Sequence, residues 1–473
     1  MIESPKSGPQ SVAIVGGGVA GMSAACALAE AGFRVYLIER RGYLGGRASS
    51  YLHPGVNEVI DNCQHVLFGC CTNLLAFYER IRAAEKIHWT RDMTMIAPGG
   101  KRSVLGASPL PAPLHGLPRL LTASAFTLQD KLSLARAFSA ILKVDPKDAG
   151  TETLAEWLVR HRQSRGAIER FWKLVIASAL NAEIEHIAVP YAAKVIRELF
   201  MNSAEAGRMG INTVPLSELY GGVEALLGKN GSSVHLHSNV ERLEWSGQDS
   251  SWTVIARTET VVADWVVFAL PFEAMAKLVP QMPPAAGAEA LAAQIAHHEH
   301  WPICSAHLWF DRDITELEHA VMLDREVHWL FNRGKLQPWR KTGGSYIEVE
   351  VSASRVYAAR ERNDAIALTL RELAEFFPAV KTAKLVKAAL VKEVRATFGV
   401  PPGIDAYRPA AAESPWPNSF LAGDWAATGW PSTMESAARS GHLAAEAVCA
   451  ARGVSRVFLA PDLPPRGLMR LLK

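Results

Sequence analysis

"SVAIVGGGVAGMSAACALAEAGFRVYLIE", residues 11–39, decides the fold. The apolar run Ser11–Val15 ends in Gly16-Gly17-Gly18. The stretch "MSAACALAEAG" that follows places Ala and Leu at helical spacing and stops at Gly32. Phe33–Glu39, "FRVYLIE", is rich in β-branched and apolar residues and reads as a second strand. A strand, a helix and a strand within roughly 30 residues form a complete βαβ unit. Gly16-x-Gly18-x-x-Gly21 falls where the strand turns into the helix. Glycines there allow a tight turn and let the backbone approach a pyrophosphate seated on the helix N-terminus. Glu39 follows Gly21 by 18 residues, at the strand end, where a carboxylate accepts hydrogen bonds from ribose hydroxyls. The spacing predicts dinucleotide binding, against the plainer alternative of a glycine turn without ligand.

At 473 residues the chain is long enough for more than one compact unit, since single cores stop growing at roughly 250–300 residues. A formal net charge of +3 gives no reason to expect nucleic acid as a partner. No apolar run reaches the roughly 20 residues that cross a bilayer, and the start, "MIESPKSGPQ", has no cleavable hydrophobic segment. Six cysteines in so long a chain read as reduced thiols, and a cytoplasmic enzyme is expected.

Further strands are expected within Ser232–Trp245, two more within Ser251–Leu270, and a last one at Phe420–Asp424 before a helix from about Met434 to Ala451. Between them lie two inserts, one mostly helical and one mixing strands such as "SYIEVEVSA" with a helix near Asp364–Phe377. The expected class is α/β. A discontinuous Rossmann-like domain is assembled from residues 1–90, 222–299 and 395–455. An inserted α+β substrate-binding domain comes from 91–221 and 300–394, and 456–473 form a tail.

Two further segments sharpen the ligand. After Glu39 the chain reads "RRGYLGGRAS", with Arg40, Arg41, Gly45, Gly46 and Arg47, and near the C-terminus it reads "FLAGDWAATGWPSTMESAARSG". Together they resemble the flavin amine oxidase and phytoene desaturase superfamily. That resemblance implies FAD, with Arg41 and Arg47 at the diphosphate and ribose. It also implies Gly423 and Asp424 at the ribityl–pyrophosphate portion, Val240 on the strand holding the adenine, and Thr433 and Met434 at the flavin ring. A helix N-terminus at Met434 suits the negative charge of a reduced flavin. Leu421–Gly441 contains no cysteine, so non-covalent FAD is expected.

"VIDNCQHVLFGCC", residues 59–71, is the densest polar stretch, and a helix is expected after it from about Thr72 to Glu85. A metal site fails on ligand spacing, so none is expected. A dithiol at Cys70-Cys71 requires a strained ring, and a buried cysteine commonly acts as a small hydrophobe. Contact with cofactor and substrate remains. "DNCQHVLFGCCTNLLAFY", "WLFNRG" and "AGDWAATGWPSTMESAARSG" resemble the squalene-associated FAD-dependent desaturase family, also called hydroxysqualene dehydroxylase. The resemblance spans nearly the whole chain. It implies reduction of hydroxysqualene to squalene with loss of water, and hand-over of substrate from a squalene-synthase-like enzyme.

Loss of water from an allylic alcohol needs a general acid. The acid candidates are His65, whose ordinary pKa suits the task, and Asp61, whose pKa would have to be raised by burial. Trp329, Phe331, Trp425 and Trp430 offer aromatic walls to the allylic cation, with Gln64 beside them. Core packing is the plain alternative for each aromatic, and turn hydrogen bonding for Asp61. "SPLPAPLHGLPRLLTASAF" and the tail "PPRGLMRLLK", with Arg466, Arg470 and Lys473, suggest peripheral contact with the inner membrane face. The rival readings are an oxidative desaturase of squalene- or carotenoid-type polyisoprenoids, a flavin amine oxidase, and a non-catalytic prenyl-binding escort.

Overall fold

A computed structural model describes residues 10–145, 151–340 and 343–471. The opening βαβ unit forms as β1 (Ser11–Val15), α1 (Val19–Glu30) and β2 (Arg34–Ile38). A hairpin, β3 (Ser50–His53) and β4 (Glu58–Asp61), leads to α2 (Thr72–Arg80). A second hairpin, β5 (Asp92–Ile96) and β6 (Arg102–Gly106), precedes a largely helical stretch. Next come β7 (Ser233–His235), the meander β8 (Val240–Ser246), β9 (Ser251–Ala256) and β10 (Thr260–Ala263), and then β11 (Trp265–Phe268). The second insert supplies β12 (His300–Phe310), β13 (His319–Met322), β14 (Trp329–Asn332), β15 (Tyr346–Ser352), α3 (Arg362–Phe376) and β16 (Leu385–Phe398). The chain closes with β17 (Ser419–Leu421) and α4 (Met434–Ala451).

Beside the β3–β4 hairpin and the β8–β9–β10 meander, two larger sheets organise the fold. The first is all parallel, in the order β7-β2-β1-β11-β17, so strands distant in sequence lie side by side. Its inner strands β1 and β11 are short, almost wholly buried apolar runs, as parallel strands require. Residues Val19 to Ala29 of α1 are all buried. Their small side chains admit α4 at close range: a Cβ on Gly441 would meet the Ala20 carbonyl oxygen at 2.2 Å.

The second sheet has seven strands in the order β16-β12-β15-β14-β13-β5-β6. It is antiparallel except where β13 runs parallel to β5. Ile347, Val349 and Val351 of β15 pack in one core with Leu368 and Leu373 of α3. Alternation along a strand therefore turns Glu348, Glu350 and Ser352 to the opposite face.

Three expectations change. Ser251–Leu270 holds three strands rather than two. The helix expected to run from Thr72 to Glu85 ends at Arg80, where Arg82 takes a φ of 59° and a 3-10 turn follows. The insert read as mostly helical opens with strands that extend the second sheet. Lys473 of the basic tail lies outside the described residues.

The glycine turn depends on backbone touching backbone. Gly16 has φ +112°, and a Cβ there would sit 2.4 Å from the Ala269 carbonyl oxygen. Replacing Gly16 with Ala should cost about 1–3 kcal/mol through the strained backbone alone. Thermal unfolding of the apoprotein checks this, and an unchanged midpoint would show that the turn tolerates a side chain.

Candidate active site

One cavity of about 1110 Å³ joins the glycine turn to the polar face of the second sheet. Gly16 and Gly18 line it on one side of the turn, and Gly45 and Gly46 on the other. Gly18 and Gly46 approach so closely that a Cβ on Gly46 would meet the Gly18 Cα at 3.1 Å. Gly21 lies behind the turn, and a Cβ on it would lie 1.9 Å from the Gly16 carbonyl oxygen. Its absence of side chain sets the α1 N-terminus against β1.

Glu39 fixes this turn. One carboxylate oxygen accepts from the Gly17 N–H at 2.7 Å and the other from the Arg41 N–H at 2.8 Å. Arg40, Arg41 and Val240 line the same wall, and the Arg41 guanidinium donates to the Gly46 carbonyl at 2.8 Å. Arg47 and Asp424 form an ion pair at the cavity wall, with the Ser432 hydroxyl donating to the second Asp424 oxygen. Gly423, with φ +143°, admits the strand end here. Thr433 caps α4, its hydroxyl accepting from the Ser436 N–H at 3.1 Å, and Met434 begins the helix at the cavity edge. The cradle of bare glycines, the flanking arginines and the two helix N-termini fit a dinucleotide diphosphate and an anionic ring.

The opposite wall belongs to β12, β14 and β15. Register places Ser305, Glu350 and Trp329 in one row, and His307, Glu348 and Phe331 in the next. The Trp329 and Phe331 rings stack with centroids 5.9 Å apart, and both line the cavity. Trp430 also lines it, but its ring carries Lys194 Nζ at 4.7 Å and the Arg439 guanidinium at 4.8 Å. Two fixed cations make it a poor wall for a carbocation.

Four further sequence-based assignments are revised. Trp425 is fully buried, its indole N–H donating to the Leu270 carbonyl at 2.8 Å, and it packs in the core rather than at the cavity. Asp61 is likewise sealed off. It pairs with Arg333 at 2.5 Å and accepts from the Ser50 hydroxyl, the Asn212 amide and the Leu216 N–H. Desolvation opposes its charge, but the Arg333 guanidinium and these hydrogen bonds outweigh it and lower its pKa, so it is a fixed anion and no acid. Gln64 lines the cavity, yet its amide is committed to Asn212 and Arg333. His65 lies at the cavity with Nδ1 donating to the Cys63 carbonyl at 2.8 Å, and burial lowers its pKa. Its remaining nitrogen is an acceptor, the reverse of the expected acid.

The cysteines of this stretch are free thiols. Burial raises the Cys63 pKa well above the usual thiol value, and a hydrogen bond with Cys71 does the same for Cys70, which disfavours reactive thiolates. Among the described residues, no group of three or more His, Cys, Asp or Glu side chains is placed to hold a metal ion.

The residues missed from sequence are Glu348 and Glu350. Arg333 faces both of them as well as Asp61. Glu348 accepts from the Ser305 hydroxyl at 2.9 Å and lies 3.6 Å from Arg333 Nε. Burial pushes Glu348 up to about 7, and burial together with the Glu348 charge pushes Glu350 well above the usual carboxylate range. The signal was present in "SYIEVEVSA": two carboxyls two residues apart must share a face of a strand otherwise rich in valine.

A glycine-cradled dinucleotide groove opening into a second, sheet-walled chamber defines a flavin-dependent oxidoreductase. Residues 19–449 match the family described as flavin containing amine oxidoreductase, and the chain belongs to that family; FAD is its cofactor. Among curated proteins it is 25% identical to a probable zeta-carotene desaturase of Synechococcus elongatus, covering 94% of this chain and 99% of the relative. It is 27% identical to a zeta-carotene desaturase of Synechocystis, covering 93% and 97%. A 15-cis-phytoene desaturase of Synechococcus elongatus is 25% identical over 93% of this chain and 96% of its own. Among solved structures, a putrescine oxidase bound to putrescine superposes with a TM-score of 0.70 at 16% identity, covering 93% of this chain and 99% of its own. That last likeness is one of fold.

Asp61→Asn should leave Arg333 buried without its anion and cost about 3–5 kcal/mol in urea unfolding. The folded carboxyl titrates below its unfolded value, so its contribution is present above the unfolded pKa of about 4 and is lost as pH falls through the folded one. A catalytic Asp61 would instead leave the unfolding curve unchanged and abolish turnover.

Proposed function

We propose that this FAD-dependent oxidoreductase acts on a long polyisoprenoid, with hydride exchange at an allylic carbon. The carotene and phytoene desaturases among its relatives support that substrate class and, taken alone, favour desaturation. Our preferred reading is the opposite direction: removal of the hydroxyl of hydroxysqualene to give squalene and water. One observation carries the preference. The cavity wall bears one buried carboxyl, Glu350, with a second, Glu348, behind it, and the nearest guanidinium is already paired with Asp61, an arrangement that favours keeping the proton a leaving hydroxyl requires. The motif "DNCQHVLFGCCTNLLAFY" adds its resemblance to the dehydroxylase family.

Bound FAD supplies the hydride chemistry. The chain's own residues do the rest. Gly16, Gly18, Gly45 and Gly46 admit the diphosphate, and the Arg47–Asp424 pair holds the groove wall. Trp329 and Phe331 present a stacked aromatic face to the chain and to positive charge developing on it. The apolar lining excludes water that would otherwise capture the cation.

The substrate's solubility requires collection from a bilayer, and one surface suits that task. Leu110, Leu114, Leu117 and Leu121 are exposed, and the C-terminal turn adds exposed Leu468 and Leu471 beside them. The two segments are joined where the Leu468 N–H donates to the Ala112 carbonyl at 2.8 Å. Exposed Arg119, Arg466 and Arg470 lie within these same segments, a combination that suits anionic lipid headgroups. Among the described residues no helix is long and apolar enough to cross a membrane.

Anaerobic incubation of the chemically reduced holoprotein with hydroxysqualene should yield squalene and oxidised flavin. Polyene formation from squalene or phytoene by the oxidised protein, without that conversion, would favour desaturation; peroxide release with amines would favour the amine oxidase reading. Leu117→Gln with Leu121→Gln should weaken cosedimentation with anionic vesicles while flavin content is retained. Equal sedimentation would remove this surface from the account.

A further inference from the structure

We propose that Glu350 is the catalytic acid of this cavity, protonating the departing hydroxyl, and that Glu348, held by Arg333 and Ser305, is the anion beside it. This assignment rests on the dehydroxylation reading above. Four observations lead to it.

Glu350 lines the cavity, is 8% exposed, and one of its carboxyl oxygens has no hydrogen-bond partner. A buried carboxyl oxygen without a donor is costly as an anion and far less so when the group carries its own proton. Glu348 also has one oxygen without a hydrogen-bond partner, but that oxygen faces the Arg333 guanidinium, and the group differs in place and in its other oxygen. It is fully buried away from the cavity, accepts from the Ser305 hydroxyl at 2.9 Å, and has Arg333 at 3.6 Å.

Charge counting gives the same division. Arg333 is shared by Asp61, Glu348 and Glu350, and Asp61 holds it most closely, at 2.5 Å. His307 adds no positive charge: it lies 3.9 Å from Glu348, and burial lowers its pKa to about 3. The other titratable groups around Glu350 are Cys63, whose thiol burial keeps protonated, and Lys392 and Glu393 of β16. The Lys392 ammonium is turned to the Arg360 carbonyl, and Glu393 is a further carboxyl. Two carboxyls on one face of β15 with this much positive charge hold one proton between them, and it resides on the unpaired member.

The third observation is position. β-Register sets Glu350 directly beside Trp329, so the acid and the aromatic face adjoin. An oxygen protonated by Glu350 therefore leaves a carbon already next to a π-face. The fourth is the neighbour below: Ser352, also lining the cavity, continues the polar face outward.

The step balances. The Glu350 proton passes to the hydroxyl oxygen, the C–O bond breaks, and water departs. The allylic carbon gains its C–H bond from a hydride, both electrons coming from the reduced flavin, which is oxidised. Glu350 is left as a carboxylate and takes a proton from solvent before the next cycle.

The test uses holoprotein and the variants Glu350→Gln, Glu350→Asp and Glu348→Gln. Infrared difference spectra of wild type minus Glu350→Gln, taken without substrate at neutral pH, should contain the carbonyl stretch of a protonated carboxylic acid. Its absence overturns the proposal whether or not the protein acts on hydroxysqualene. Single turnovers of the reduced protein with hydroxysqualene should slow about 10²–10⁴-fold in Glu350→Gln. Flavin content and unfolding midpoint should stay near wild type, and Glu350→Asp should recover part of the rate. A wild-type rate in Glu350→Gln overturns the proposal. Failure of the wild type itself to convert hydroxysqualene overturns the reading of function instead, and the infrared result then decides the Glu350 proton alone. If Glu350→Gln does not fold, Glu350→Asp carries the kinetic arm, and an undiminished rate there, with the Asp carboxyl retracted from the cavity, counts against Glu350.

Discussion

Backbone lies against backbone where α1 leaves β1, and the rest of the molecule is arranged around that contact. Gly16, Gly21 and Gly46 occupy positions where a single added carbon would press on main-chain atoms. Their bareness lets the N-terminus of α1, the loop after β2 and the end of β17 converge on one groove. Glu39 completes the arrangement by binding two backbone N–H groups of the converging segments. Since short parallel strands cannot bury enough surface by themselves, α1 and α4 close over them, and Gly441 sets how near they come.

The second sheet solves a different problem. Its β15 has an apolar face committed to α3 and a polar face turned to the cavity. Burying Asp61, Glu348, Glu350 and Arg333 together is costly unless charges and hydrogen bonds nearly cancel. Asp61 and Arg333 cancel each other. Ser305 and the far side of Arg333 serve Glu348, and Glu350 is left to stay neutral. Stability and chemistry thus come from one ledger of charge: the pairing that makes Asp61 inert is also what leaves a proton at the cavity wall.

The nucleotide half was legible in the sequence because its signals are local. Glycine spacing, a strand-end glutamate and the run from Arg40 to Arg47 report on backbone contacts only a few residues away, and all of them line or brace one groove. The other half was harder because its partners are far apart. Asp61 meets Arg333 across 272 positions, and Gln64 meets the same guanidinium across 269. Nothing near Asp61 announces that partner, so from the sequence alone an acid and a turn acceptor stay open as alternatives. Trp425, two residues past Gly423, is a candidate aromatic wall with core packing as its alternative, and its ring turns into the core. Glu348 and Glu350 were visible as a period-two pair, but their meaning depended on knowing which face of the strand was buried against charge rather than against solvent.

The most direct test of this account is a crystal structure of the flavin-loaded protein grown with squalene, a molecule without polar groups. FAD should lie along the glycine groove, with continuous hydrocarbon density in the same cavity passing the Trp329–Phe331 face within reach of Glu350. Hydrocarbon bound elsewhere, or a cavity that FAD fills with no room for the chain, would contradict it.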